Sequence, residues 1–199
     1  MRHVATALGI ALLASCASTS YTAQRPPLNP PLPARFDVFA GVRSLDHHDW
    51  APVEDQGTIG VQFAYEPPDA PAGVELGLFA SGDEEDDARL PGGGTVDVKG
   101  ETSEFSIGLR KTFVPDEGTV HPYLGGGLTY IRAKVELGGL DDEDGSAGFY
   151  FHAGVGFDLG PSFQVGFDMR FVAATDVDLF GTDGSADYGQ LAVFIGVRF

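Results

Sequence analysis

The chain has 199 residues, with 12 Lys plus Arg against 29 Asp plus Glu and a formal net charge of −17. That length suits one domain, and that charge argues against nucleic acid as a partner. The single cysteine, Cys16, leaves no internal disulfide, and past the leader no stretch reaches the roughly 20 apolar residues of a spanning helix.

Met1-Arg2-His3 followed by the apolar run 4–13 reads as a secretory signal over residues 1–15. Its end, Leu13-Ala14-Ser15-Cys16, resembles a lipobox, which implies lipidation of Cys16. The competing reading is ordinary cleavage near Ala17. Residues 16–35 hold Pro26, Pro27, Pro30, Pro31 and Pro33 without periodicity. Proline removes a ladder donor and favours extended chain, so this segment is expected to be a periplasmic tether.

From residue 36 to 199 the chain reads as eight strands. The first, about 36–45, sets Phe36, Val38, Ala40 and Val42 against Asp37, Phe39, Gly41 and Arg43. The second, about 57–66, sets Ile59, Val61, Phe63 and Tyr65 against Gly60, Gln62 and Ala64. The third, about 72–81, sets Val74, Leu76 and Leu78 against Glu75, Gly77 and Phe79. The fourth, about 96–114, sets Phe105, Ile107, Leu109 and Phe113 against Glu104, Ser106, Gly108 and Arg110. In the fifth, about 119–137, the three glycines Gly125, Gly126 and Gly127 erase the pattern. The sixth, 148–159, sets Phe149, Phe151, Val155 and Phe157 against Tyr150, His152, Gly154, Gly156 and Asp158. The seventh, 163–173, sets Phe163, Val165, Phe167, Met169 and Phe171 against Gln164, Gly166, Asp168 and Arg170. The last, from about 187, alternates Leu191, Val193, Ile195, Val197 and Phe199 with Gln190, Ala192, Phe194, Gly196 and Arg198. Period-two alternation is the signature of a strand with two different faces.

Short turns are predicted at 66–71, 115–118 and 160–162, and long loops at 46–56, 82–95, 138–147 and 174–186. Short connections at one end and long ones at the other suit an antiparallel up-and-down transmembrane β-barrel with both termini at the short-turn end. With the apolar face toward lipid, Asp37, Arg43, Gln62, Glu75, Glu104, Arg110, His152, Asp158, Gln164, Asp168, Arg170 and Arg198 fill the lumen. Both charge signs are present, so neutralisation inside is expected; Asp168 and Arg170 are predicted to bond Asp158, Arg198 or Arg110 and not each other. A soluble barrel with the apolar face inward is the competing reading.

A final strand with apolar residues at every second place and a terminal Phe199 resembles the insertion signal of bacterial outer-membrane barrels. The segment Pro122-Tyr123-Leu124-Gly125-Gly126-Gly127-Leu128 is similar to the Pro-Tyr-x-Gly-x-Gly stretch of the outer-membrane β-barrel superfamily. Residues 36–199 thus resemble the small eight-stranded barrels of the OmpA, OmpX and OmpW kind. A lipobox departs from most of them. The resemblance implies an all-β fold, the bacterial outer membrane with both termini periplasmic, and contact with lipid, lipopolysaccharide and the barrel-assembly machinery.

The chemistry-bearing clusters have plain readings. His47-His48-Asp49-Trp50 is a solvated loop before it is a metal site, because neighbours do not share a direction. The stretches 83–87 and 141–144 form an acidic rim, with weak divalent binding, bridging to lipopolysaccharide, as the second reading. His152, placed inward beside Tyr150 and Asp158, is a lumen hydrogen-bonding residue; a hydrolase needs a paired nucleophile as well. Trp50, Tyr65, Tyr130 and Tyr188 are interface anchors or strand fillers. No catalytic residue, metal or cofactor is expected. The leading function is a non-enzymatic envelope or adhesion protein with a plugged lumen. A narrow porin or carrier of small hydrophobic compounds comes second, and a lipid-modifying enzyme third.

Overall fold

The computed structural model describes residues 32–89, 93–114 and 119–199. The signal, Cys16, most of the tether and the turn 115–118 lie outside them. Eight antiparallel strands close into a barrel in the order β1-β10-β7-β6-β5-β4-β3-β2. They are β1 (Ala34–Leu45), β2 (Asp55–Tyr65), β3 (Gly73–Arg89), β4 (Thr95–Thr112), β5 (Val120–Leu137), β6 (Leu140–Asp158), β7 (Phe163–Ala173) and β10 (Tyr188–Arg198). Closure is completed at the chain end, where Phe199 and Ala34 exchange both backbone bonds at 2.9 and 3.1 Å. The two ends of the barrel domain therefore lie at one mouth, beside the β2–β3 and β6–β7 turns. β1 begins two residues before the expected boundary, because Ala34 finds partners on both sides in Tyr65 and Phe199.

The eight-strand count and the face assignment hold. Val42, Ile59, Phe149 and Phe167 are each at least 60 % exposed, whereas Arg43, Arg110 and Arg170 are 1 % exposed. Apolar side chains outside and charged ones inside invert a water-soluble barrel and suit a barrel whose outer solvent is lipid. In β5 the inward set is His121, Tyr123, Gly125, Thr129, Ile131 and Ala133.

The expected long loops are largely not loops. β3, β4, β5 and β6 run 17, 18, 18 and 19 residues, whereas β1, β2, β7 and β10 run 11 or 12. A spanning strand needs about 9–11 residues, so β3–β6 rise as a tall wall beyond one mouth. Segment 82–95 is mostly ladder. Segment 138–147 shrinks to the turn Gly138-Gly139, with φ of +58° and +84°, where two successive left-handed residues make a tight hairpin that glycine allows. The polar residues here carry no apolar periodicity. Pairing to a neighbouring strand satisfies their backbone and keeps them extended.

Opposite the tall wall, segment 46–56 forms a short helix, α1 (His47–Trp50), and segment 174–186 forms a small hairpin, β8 (Val177–Leu179) with β9 (Thr182–Gly184). These two pieces cap the far mouth. Trp50 packs, 3 % exposed, with Leu45, Ile131, Val172, Val177 and Tyr188, and its indole Nε1 donates to the Ser185 carbonyl at 2.7 Å. Trp50 and Tyr188 are thus core residues, while Tyr65 and Tyr130 are exposed on the outer face.

Acidic side chains hold these pieces in place by accepting backbone N–H bonds. Asp46 caps α1 through His48 N at 2.8 Å. Asp49 takes Ser185 N, Asp187 takes Thr175 N, and Asp142 takes Phe180 N. Asp144 takes the amides of Asp178 and Gly145 at 2.8 and 2.7 Å, and these bonds hold its carboxyl below the usual value. A depressed folded-state pKa contributes stability that is complete above the unfolded-state value, about 3.9, and lost as pH falls through the folded-state one. Amide protection of Asp178 in hydrogen exchange should therefore drop selectively below about pH 4, and Asp144→Asn should remove the step. A pH-independent protection factor in the native chain would contradict this anchoring.

Candidate functional site

The inward side chains stack as three connected layers across the barrel. Toward the far mouth, Glu104 is the hub. It accepts Arg170 Nη2 at 2.6 Å, Arg43 Nη2 at 3.1 Å and Thr129 Oγ1 at 3.0 Å, and the Tyr188 hydroxyl donates to it as well. Arg43 continues to Thr102 at 2.7 Å and to Gln190 at 2.9 Å. The Arg43 guanidinium lies 3.7 Å from the Tyr188 ring centre, and that of Arg170 4.0 Å from Tyr150. Two cations share one carboxylate, with aromatic faces and neutral acceptors taking the remaining donors.

In the middle layer His152, fully buried, sits between two carboxylates, with Nε2 2.8 Å from Glu75 and Nδ1 2.9 Å from Asp168. Tyr150 and Gln62 donate to Glu75 at 2.7 and 2.5 Å, and Tyr123 donates to Asp168 at 2.7 Å. The Arg110 guanidinium stacks 3.4 Å from the Tyr123 ring centre. Beside this layer Phe39, Phe79, Phe194 and Tyr123 form one buried aromatic cluster, with Phe39 centred 5.5 and 5.3 Å from Phe79 and Phe194. Phe39 and Phe194 share the polar parity of their strands, so the inward face mixes aromatic with charged side chains.

At the mouth where Ala34 meets Phe199, Asp37 accepts Arg35 and Gln164, both at 2.8 Å. Asp158 meets His121 at 2.9 Å and Arg198 at 2.8 Å. Glu66 accepts Thr112 N and Oγ1, each at 2.7 Å, and lies 3.4 Å from Arg110.

Every residue expected in the lumen is therefore inward, but the pairing differs from the prediction. Asp168 bonds His152 and Tyr123, and Arg170 bonds Glu104 and Tyr188, in place of Asp158, Arg198 or Arg110; the two do not bond each other. His152 likewise stands beside Asp168 and not Asp158. Register explains this. Asp158 pairs with Gln164 while Gly154 pairs with Asp168, which places the two aspartates four rungs apart, about 13 Å at 3.3 Å per residue. Arg198 is farther still from Arg170, whose partner on β10 is Gln190.

Sequence reasoning missed Arg35, Glu66, His121, Tyr123, Thr102, Thr129 and Gln190 as members of these networks. For Gln190 and Thr102 the parity of the strand was the available signal. For Tyr123 it was masked by the glycine run. Glycine makes room here: a Cβ on Gly125 of that run would stand 2.1 Å from His152 Nε2, and one on Gly108 of β4 2.3 Å from the Tyr150 hydroxyl.

Both His152 nitrogens face carboxylates, Glu75 and Asp168, and not a hydroxyl or thiol. His47 turns to Glu54 at 2.5 Å while Asp49 turns to Ser185, which splits the loop cluster. Among the described residues no three His, Cys, Asp or Glu converge as a metal site.

Comparison with known proteins agrees with this architecture. No curated protein matches the sequence. OprG from Pseudomonas aeruginosa is similar in structure, with a TM-score of 0.56 at 16% identity over 85% of this chain and 97% of that one. Neisserial surface protein A matches with a TM-score of 0.52 at 19% identity over 83% and 96%. Ail, the attachment invasion locus protein of Yersinia pestis, matches with a TM-score of 0.52 at 15% identity over 84% and 97%. The family model described as outer membrane protein beta-barrel domain matches residues 8–199. With a closed eight-strand barrel, an apolar exterior and a charged interior already in place, the chain belongs to that outer-membrane β-barrel family.

Proposed function

We propose that this barrel serves the envelope as a non-enzymatic structural or adhesion protein, closed to solute, with its tall acidic end outside the cell and both termini periplasmic. The observation that carries the reading is the lumen. Arg43, Arg110, Arg170, Glu75, His152 and the aromatic cluster are buried across the barrel, and eight strands leave an interior only wide enough for side chains to fill.

The far end defines what it would meet. Asp83, Glu84, Glu85, Asp86 and Asp87 on β3, and Asp141, Asp142, Glu143 and Asp144 on β6, face few cations (Arg89, Lys99, Arg132 and Lys134). Ail has also been solved in complex with the heparin analogue sucrose octasulfate. A polysulfate would be repelled here, so an adhesive role would address a basic surface. Contact with lipopolysaccharide phosphates would require bridging divalent cations.

Single-channel recording in planar bilayers tests the reading. The purified barrel should give no conductance steps above the lipid baseline. Regular steps would favour the porin alternative and remove the plugged-lumen reading. Insertion is expected to depend on Phe199, which is exposed on the outer face and closes the β1–β10 seam through Ala34. Deleting Phe199 should lower the amount of heat-modifiable barrel in the outer membrane with synthesis unchanged. Normal levels of folded barrel would refute the role of Phe199 as an insertion signal.

A further inference from the structure

The mouth where Ala34 meets Phe199 carries a cup of about 420 Å³ whose lining includes Arg35, Lys111, His121, Gln164 and Arg198. Among the described residues two buried guanidinium nitrogens in that lining have no hydrogen-bond partner: Arg35 Nη2 and Arg198 Nε. Arg35 and His121 are each 7 % exposed. Beneath them Arg110 stacks on Tyr123, and none of its guanidinium nitrogens makes a hydrogen bond.

A buried donor without a partner is destabilising, so Arg35 Nη2 and Arg198 Nε at this mouth call for an acceptor. Of the carboxylates close by, Asp37 is held by Arg35 Nε and Gln164, and Glu66 by Thr112, while Asp158 meets His121 Nε2 and Arg198 Nη2 through Oδ2 and keeps Oδ1 without a partner among the described residues. Arg35, Lys111 and Arg198 gather around this cup in a chain of net charge −17.

The rest of the lining narrows the ligand. Leu32, Phe113 and Val114 border the cup and are 44 %, 50 % and 58 % exposed. Guanidinium and ammonium donors beside an exposed apolar edge suit a phosphate carried at a lipid surface, because arginine presents paired donors to phosphate oxygens and the chain below the phosphate has an apolar place to lie.

We propose that this mouth is a phosphate-binding cup, with Arg35, Arg198 and Lys111 as its ligands. Two sources share the chemistry, a free phosphate and the headgroup of an anionic phospholipid in the adjoining leaflet, and the experiment separates them. The full chain, folded in a nonionic detergent, is titrated with inorganic phosphate and separately with dihexanoyl phosphatidylglycerol, against chloride at matched ionic strength. The arginine Nε–H and methyl resonances are followed by NMR.

Saturable shifts of Arg35 and Arg198, with Arg43 and Arg170 unmoved, are expected in at least one arm. Shifts with both probes and no movement of Val114 indicate free phosphate. Tighter binding of the lipid, with Val114 moving as well, indicates the headgroup. Arg198→Gln and Lys111→Gln lie at the rim and should leave the heat-modifiable barrel intact. Each should weaken binding by about tenfold, the loss of one charge-assisted bond. Absence of saturation in both arms overturns the proposal, and so does native affinity in both variants.

Discussion

Replacing Glu104 by Leu is expected to lower the urea midpoint of the barrel in detergent sharply, and to deplete the heat-resistant folded band. Glu104 is 3 % exposed and is the acid shared by Arg43 and Arg170. Its loss strands both cations where water cannot replace the carboxylate. Breaking a buried pair in this way costs about 3–5 kcal/mol. Thr102, Gln190 and the Tyr188 ring still hold Arg43, but Arg170 keeps only Tyr188 and aromatic faces. The double replacement Glu104→Leu with Arg170→Leu should recover part of the loss, since it removes one stranded charge. The cycle therefore separates desolvated charge from lost packing. An unchanged midpoint in Glu104→Leu would mean that water reaches this layer and that the lumen is not plugged.

Gly125→Val is expected to prevent the barrel from closing in its native packing. Even a Cβ at this position falls 2.1 Å from His152 Nε2 and 2.7 Å from Glu75 Oε1, so His152 must leave Glu75. Overpacking alone costs about 1–3 kcal/mol, and breaking the buried pair adds a cost on the order of 3–5 kcal/mol. Gly57→Val is the matched control. A Cβ there meets nothing within 4 Å, and Gly57 lies on the outer face of β2 beside Ile59, so this variant should fold as the native chain does. Heat modifiability on gels and near-ultraviolet circular dichroism report both outcomes. A native spectrum for Gly125→Val would show that the His152–Glu75 pair is dispensable.

Much of the barrel was legible because one physical rule repeats in every strand. Lipid outside and a packed interior force a period of two, and β7 and β10 show it residue by residue in Phe163–Phe171 and Leu191–Phe199. Parity alone therefore placed Asp37, Arg43, Glu75, Glu104, His152 and Arg170 inside. The same rule is silent where it has no apolar residue to act on. Asp83–Arg89 and Leu140–Asp144 are strand because a neighbouring ladder takes their backbone bonds, and their acidic side chains gave the appearance of loop. The acids Asp142, Asp144 and Asp187 gave no sign that they anchor the β8–β9 hairpin and its flanks, since their partners are backbone amides many residues away.

The amino-acid sequence by itself determined the strand count, the inward and outward faces, and the family, because each follows from side-chain alternation and from a local motif. Only the tertiary structure decided which inward charges meet. Glu104 finds Arg43 and Arg170 across 61 and 66 residues of sequence, and Asp168, opposite Gly154, reaches His152 two rungs along β6. Those choices depend on the register of each strand pair and on the stagger accumulated around a closed sheet. A shift of two residues in any register keeps every face and exchanges every partner.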